Sequence, residues 1–467
     1  MKHFFTCLLM LVCCTNLFAN GVDTAKSENR LSKQQLLSDI DYLVATINEV
    51  HPNMYHSISK GKYRKLRDSL SNLLHDGMTP LQAWPLIAPL VGSLNEGHSS
   101  LNLPEELLAE IKANGNILFP VAFSEFDGRY LVVRADASAE SKLVVGDKVE
   151  SINGIPAPKL IDILSRHMGG LQSWRAVDVC RDMLAYLDIY GIKGPYRLVY
   201  LHEGKAMEAI LNPISLLSLR ERLGRLPKAA KKTEYAYNRL IDGAGYLKIN
   251  SLAAKPEVFK SFLDSVFGQI KQQAPKRLII DLRLNGGGNS ALGEMLLGYI
   301  TEKPFRMTGG VRWKVSQTYK EQLNERMKGE GAKEMPYYFE AKNGSILKSS
   351  APKPQPPMQN DLLYKGAVLV LIGPKTFSSA NMLANAIQDY HLATLVGEAT
   401  GEPANDYGEL IYLKLPYTGF TFSTSTKQFV RANGKADDPR PVLPNYPVKD
   451  NPATRADEVL EFVAGLN

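Results

Sequence analysis

Cysteine is scarce in this chain. Of 467 residues four are cysteines, and Cys7, Cys13 and Cys14 fall within the first fourteen positions, leaving Cys180 alone in the rest. A single cysteine cannot form an internal disulfide, so stability has to come from a buried core, which this length can supply. Long hydrophobic runs are missing too. The apolar run at residues 4–14 is too short to span a bilayer, which takes about 20 apolar residues, and no later run is long enough. Charges of one sign do not cluster. Lys and Arg are scattered, and the formal net charge of +7 is spread without a basic block, so no nucleic-acid partner is expected. The metal signature H-E-x-x-H is absent. His51, His56, His75, His98, His167, His202 and His391 are dispersed, so no metal is expected. No cofactor is implied either: the glycine loop at 286–288 is not a G-x-G-x-x-G dinucleotide fingerprint. What remains is an ordinary globular balance, 44% hydrophobic and 22% charged, with length for two or three domains.

The N-terminus has its own character. Lys2 and His3 precede the apolar run, and the small residue Ala19 follows it. That outline predicts a secretory signal peptide over residues 1–19, cleaved after Ala19, and an exported chain, periplasmic or extracellular. Cys13 and Cys14 raise a lipid-anchored alternative, which Val12 disfavours. Lys2 is the one Lys or Arg in the segment, so its removal lowers the formal charge by one.

Further on, Ser32 is placed to cap a helix over Lys33–Val50, with Leu36, Leu37, Ile40, Leu43, Val44 and Ile47 on one face. His51-Pro52 ends it, because the residue before proline avoids the helical region. Helices are expected over 60–75 and 80–94, the last leading into Asn95-Glu96-Gly97-His98-Ser99-Ser100. Residues 30–105 thus read as a small helical domain that delivers His98 to a loop. Short strands at 121–123 and 130–133 flank an Asp127-Gly128 turn. The run Leu143-Val144-Val145-Gly146-Asp147-Lys148-Val149, with Ser151-Ile152-Asn153-Gly154 after it, reads as strand, tight turn, strand. A helix near 157–167 and strands at 196–201 and 206–211 follow. This module, residues 115–213, resembles a PDZ domain. Such a module either binds peptide termini by strand addition or serves as a spacer. Residues 214–233 read as a basic, partly helical linker.

From 234 to the end, strand and helix alternate: strand 245–250, helix 255–273, strand 278–282, a glycine loop Asn285-Gly286-Gly287-Gly288, then a helix from Ser290. That order argues for a parallel α/β layer. Glycines after a strand turn tightly and expose amides that suit an anion. Residues 304–360 read as an insertion, either a lid or a tolerated excursion, with a charged helix at 316–328. Next, Val368 to Ile372 form an apolar β-branched run. It turns through Gly373-Pro374-Lys375-Thr376-Phe377-Ser378-Ser379 and enters a helix over 380–390. Ligands of open α/β sheets bind at the carboxyl ends of strands, and a serine on such a turn is exposed. Capping is the competing role for Thr376, Ser378 and Ser379. A strand at 393–398, a hairpin of 411–415 with 421–425, and a helix at 456–464 complete the chain.

In order and spacing these stretches resemble the tail-specific, or C-terminal-processing, serine peptidases in their tricorn-like branch, which also includes retinoid-binding relatives. The matching pieces are His51-Pro52-Asn53 and Gly97-His98-Ser99; the PDZ-like module; Asp281 to Gly288; Thr376 to Asn381; and Val396-Gly397-Glu398 with Tyr407-Gly408-Glu409. The resemblance implies an α/β fold: a crotonase-like catalytic domain of stacked ββα units over 234–467, with the helical domain before it and the PDZ-like domain inserted. It implies a serine endopeptidase acting on peptides or unfolded protein segments. Ser378 is the implied nucleophile, with Ser379 as runner-up, since Asn381 stands where the family carries an acid three positions on. The lysine that one branch uses falls at Pro403, so the implied base is the other branch's histidine, His98. The implied orienting acid is Asp438, with Asp437 beside it, from the loose match of Asp438-Pro439-Arg440-Pro441-Val442-Leu443-Pro444-Asn445. Oxyanion donors would be the amides of Ser379 and of Gly287 or Gly288. Asp281 and Arg283 are expected to be a structural charge pair. The alternative on the same fold is an inactive protein that binds peptides or hydrophobic ligands.

Overall fold

The computed structural model describes residues 29–113, 116–223, 234–351, 353–450 and 456–466. The expected signal peptide and its three cysteines lie outside them. Helix Lys33–Val50 starts at a capping box, in which Gln35 N–H donates to Ser32 Oγ and Ser32 N–H to Gln35 Oε1. It buries Leu36, Ile40, Leu43 and Ile47 and stops at His51, before Pro52. Helices Lys60–Asn72 and Pro80–Gly92 follow, each a turn or less shorter than the sequence suggests. Helix Glu105–Ala113 is an addition to that reading.

The next module is an antiparallel sheet ordered Val121–Phe126, Leu131–Asp136, Lys148–Ile152, Tyr196–His202, Lys205–Leu211. Residues 143–147, expected to start a strand, instead form a turn. Asp147 closes it: its N–H donates to Val144 O, and Val144 N–H donates to Asp147 Oδ2. Helix Gln172–Ile189 has no counterpart in the sequence reading. It begins without a side-chain cap, yet Ala176, Val179, Cys180, Met183, Tyr186 and Leu187 are buried at helical spacing. One continuous apolar core runs from Leu31 through Leu211 and takes in Leu415, Phe420 and Phe422. The first helices and this sheet are therefore packed together. Buried Asp39 ties them to the far end of the chain, accepting the Tyr417 and Thr418 N–H groups at 2.9 and 2.8 Å.

Two further sheets complete the molecule. One is six-stranded, ordered Tyr235–Arg239, Gly245–Ile249, Arg277–Asp281, Ala367–Ile372, Thr394–Gly397, Tyr446–Pro447, and parallel after its first pair. Helices Pro256–Gln273, Ser290–Leu297 and Ser379–Tyr390 share its apolar core. Arg283 is held here by Asp281, Asp450 and Asp457, the charge cluster expected of Asp281 and Arg283. The other sheet joins distant segments. Its strand Thr421–Val430 pairs with Ser100–Asn102 from the N-terminal region, with Asp406–Lys414, and with Gly310–Lys314, which in turn pairs with Ile346–Ser350. Residues 304–360 thus add two strands to a sheet, and they carry helix Gln317–Arg326 as well. Among the described residues no helix is long and apolar enough to cross a membrane.

Candidate active site

Strand Ala367–Ile372 is buried along most of its length because it lies in the middle of a parallel sheet. The turn that follows is built by Thr376: its hydroxyl donates to Leu282 O and accepts Gly373 N–H, at 2.9 and 3.0 Å. Ser379 Oγ donates to Gly288 O at 2.6 Å. Of the three hydroxyls, only that of Ser378 makes no hydrogen bond among the described residues. Ser378 has φ 53° and ψ −127°, a backbone region that non-glycine residues avoid. It precedes the helix without capping it. The turn therefore holds a strained serine with an unengaged hydroxyl at the N-terminus of a buried helix, where the dipole favours negative charge.

The glycine loop lies against this serine. Asn285 carries the loop: its Nδ2 donates to Ile249 O, its Oδ1 accepts Gly287 N–H, and its carbonyl accepts Phe377 N–H. Gly287 has φ 101°, and a Cβ there would stand 2.7 Å from Ser378 Cβ. Only glycine allows this approach. Since Gly287 N–H is committed to Asn285, it is not available as an oxyanion donor. The amides of Gly288 and Ser379 make no hydrogen bond among the described residues.

His98 reaches the turn from the loop before strand Ser100–Asn102. That loop is fixed to the second sheet: Ser423 Oγ donates to His98 O and accepts Ser100 N–H, at 2.8 and 3.1 Å. The imidazole lies on the ring of Phe377, centroids 4.7 Å apart, so it stands beside the residue preceding Ser378. Trp174, from helix Gln172–Ile189, stacks on the other partner of this sandwich, its ring 3.9 Å from Phe377. No hydrogen bond joins the Ser378 hydroxyl to the imidazole among the described residues. Burial lowers the His98 pKa, and the Glu96 charge opposes this.

Two carboxylates face His98 Nδ1: Glu96 Oε1 at 3.6 Å and Glu402 Oε2 at 3.5 Å. Sequence reasoning missed both as site residues. Glu96 stands two residues before His98 and accepts its N–H at 2.8 Å, a local Asx-like pattern that is visible in the chain only once the loop is known. Glu96 also takes the hydroxyls of Ser99 and Ser425 and lies 3.7 Å from His51 Nε2. Burial pushes its pKa up, but His51, His98 and Ser99 outweigh this and hold it at about 2. It is therefore ionised at neutral pH. Glu402 is different. It accepts the Ser378 N–H, and burial together with Asp406 raises its pKa well above the ordinary carboxyl value. Asp406 is raised in the same way, chiefly by burial.

Asp438 is not brought to His98. Arg431 and Arg440 hold its carboxylate, and hydrogen bonds from Arg440 depress its pKa. Among the described residues no ion pair links it to the imidazole, and the neighbouring Asp437 is exposed. The loose sequence match thus points at a structural pair, which fixes the loop to strand Thr421–Val430 through Arg431. Asn381 also has a defined task. Its Nδ2 donates to Pro403 O and its Oδ1 accepts from Thr400 Oγ1, at 2.8 and 2.7 Å, so it steadies the loop that carries Glu402. A carboxylate at that position lacks the donor for the Pro403 carbonyl.

The sequence profile described as peptidase family S41 matches residues 243–446, which include Ser378, Glu402 and the glycine loop. Over that stretch, a little under half of the chain, the match is to a family of serine peptidases. No curated protein matches the sequence. Among solved structures it is similar to a CPAF point mutant at 16% identity, with TM-score 0.61, covering 89% of this chain and 93% of that one. Mature CPAF complexed with lactacystin is similar at 15% identity, with TM-score 0.60, covering 89% and 94%. At these identities the likeness is one of fold.

Proposed function

We propose that the chain is an exported serine endopeptidase that cleaves peptides or unfolded protein segments, with Ser378 as nucleophile and His98 as general base. The observation that carries this is the unengaged Ser378 hydroxyl on a strained turn, beside a buried imidazole whose Nδ1 faces two carboxylates. With Nδ1 turned to Glu96 and Glu402, Nε2 is left for the serine. Ser378 Oγ attacks the scissile carbonyl carbon and its proton passes to His98 Nε2. The amides of Ser379 and Gly288 receive the oxyanion. The imidazolium then protonates the leaving amine, and water, deprotonated by His98, releases the acyl group from Ser378. Glu96, being ionised, stabilises the imidazolium; Glu402 steadies the Ser378 backbone. The N-terminal pattern of residues 1–19 supports export, and the strand–helix alternation from 234 onward supports a crotonase-like core. The antiparallel sheet of 121–211 with its two helices supports a PDZ-like module that presents substrate.

A fluorophosphonate probe tests the reading. It should label Ser378 in the folded protein and not in Ser378→Ala, and the same substitution should abolish hydrolysis of an unfolded substrate such as casein. Absence of labelling together with absence of hydrolysis sinks the proposal.

A further inference from the structure

The second sheet carries a row of side chains that the reaction does not use. Lys348 lies directly opposite Arg312, Arg312 opposite Gln428, and Gln428 opposite Tyr407, across four antiparallel strands. Residues directly opposite in antiparallel pairs share one face of the sheet. Two cations therefore stand side by side, and like charges so placed repel. Among the described residues no carboxylate forms an ion pair with them. Arg312 donates only to Gln428 Oε1, at 3.3 Å, and Lys348 makes no hydrogen bond or ion pair among the described residues. The acid on the adjoining helix end, Glu49, is engaged by Thr318 through its N–H and hydroxyl.

These two cations line a cavity of about 360 Å³ together with Pro52, Asn53, Ile346 and Gln428. Its Pro52-Asn53 wall is anchored on the same face: Lys314 Nζ donates to Asn48 O and His51 O, at 2.6 and 3.1 Å. The wall leads to the catalytic loop. His51 packs on Tyr407 with centroids 4.7 Å apart, and its Nε2 lies 3.7 Å from Glu96, which faces His98. A pocket with two uncompensated cations, an amide donor at Asn53 and another at Gln428 is built for an anion with several acceptor oxygens.

We infer that this pocket is a carboxylate subsite for the peptide substrate, with Arg312 and Lys348 as its binding residues. The inference rests on the peptidase reading for its choice of ligand. The carboxylate is either the terminal one of the peptide or an acidic side chain; both offer the same two oxygens.

Binding decides it without turnover. In the Ser378→Ala protein, affinities are measured by fluorescence anisotropy for labelled random decapeptide pools. One pair of pools differs only in a free or amidated C-terminus; a second pair, amidated, carries Glu or Gln at the last position. At least one carboxylated pool should bind about tenfold more tightly than its neutral counterpart. Arg312→Gln and Lys348→Gln should each shrink that ratio and the double variant should bring it near unity, while Arg312→Lys retains part of it. The first pair reads a terminal carboxylate and the second a side chain. Equal affinities in both pairs, no binding at all, or a ratio unchanged in the double variant overturn the inference. Fluorophosphonate labelling of the unsubstituted protein reports the peptidase reading separately, so the two can fail independently.

Discussion

Glu402 touches both halves of the site: one carboxyl oxygen accepts the backbone N–H of Ser378, and the other lies 3.5 Å from His98 Nδ1. Its neighbour Glu96 faces the same nitrogen at 3.6 Å. The two differ in charge state, because Glu96 is surrounded by donors whereas Glu402 is buried against Asp406. The division of labour in the site follows from that difference.

Glu96→Gln keeps the shape of the loop and removes the charge that stabilises the imidazolium. It should lower kcat by roughly a hundredfold or more. Asp438→Asn, which loosens an arginine pair away from His98, should leave kcat within about threefold and lower thermal stability slightly. Steady-state kinetics on one peptide substrate compares them. Equal losses in the two variants, or a larger one in Asp438→Asn, would return the orienting role to Asp438.

The acid limb of activity should lie low. His98 must be neutral to accept the Ser378 proton, and burial moves its pKa below the ordinary 6.5. The profile of kcat/KM against pH should therefore already stand above half its plateau at pH 6.5. Glu96 works against that lowering, so Glu96→Gln should move the limb to still lower pH. A limb that moves upward in the variant contradicts the assignment of Glu96 as the charge beside His98.

Gly287→Ala should strike the nucleophile directly. The new Cβ would stand 2.7 Å from Ser378 Cβ at a residue with φ 101°. The strain amounts to roughly 1–3 kcal/mol, and the turn must shift to relieve it. Fluorophosphonate labelling should slow at least tenfold, with a lowered melting temperature. Unchanged labelling would mean that the glycine loop does not define the position of Ser378.

Asp406 and Glu402 make stability depend on pH with a particular sign. Both carboxyls hold protons more tightly in the folded chain than their ordinary values of 3.8 and 4.5. Their contribution is complete below those values and is lost as pH rises toward the folded pKa values. Asp406→Asn removes one of the competing acids. Its melting temperature relative to the unsubstituted protein should therefore rise as pH goes from about 5 to about 8. A difference that is flat or falling across that range would show the pair to be ionised without cost.

Much of this was legible in the chain, and the reasons are local. Ser32 with Gln35 forecasts the capping box that starts Lys33–Val50, and Val368 to Ile372 can only be a buried strand. Glycines 286–288 announce a turn of close approach. Such signals depend on a few adjacent residues and survive in any context. Helix Gln172–Ile189 was harder, since it lacks a side-chain cap and begins close behind a glycine pair. The 304–360 stretch hid two strands: Gly310–Lys314, whose partner Thr421–Val430 lies more than a hundred residues away, and Ile346–Ser350, which pairs with Gly310–Lys314 in turn.

By itself, the sequence determined many of the elements and their order, because capping, hydrophobic period and turn chemistry are properties of neighbouring residues, and a resemblance in motifs made Ser378, His98 and the glycine loop candidates. Tertiary structure alone decided which acid meets the histidine. Along the chain the resemblance implied Asp438, and nothing local singled out Glu96 or Glu402. Folding takes Asp438 to Arg431 and Arg440, buries Glu402 against Asp406, and gathers His51, Ser99 and Ser425 around Glu96. A carboxyl group's charge depends on what surrounds it in space, and no spacing along the chain specifies that.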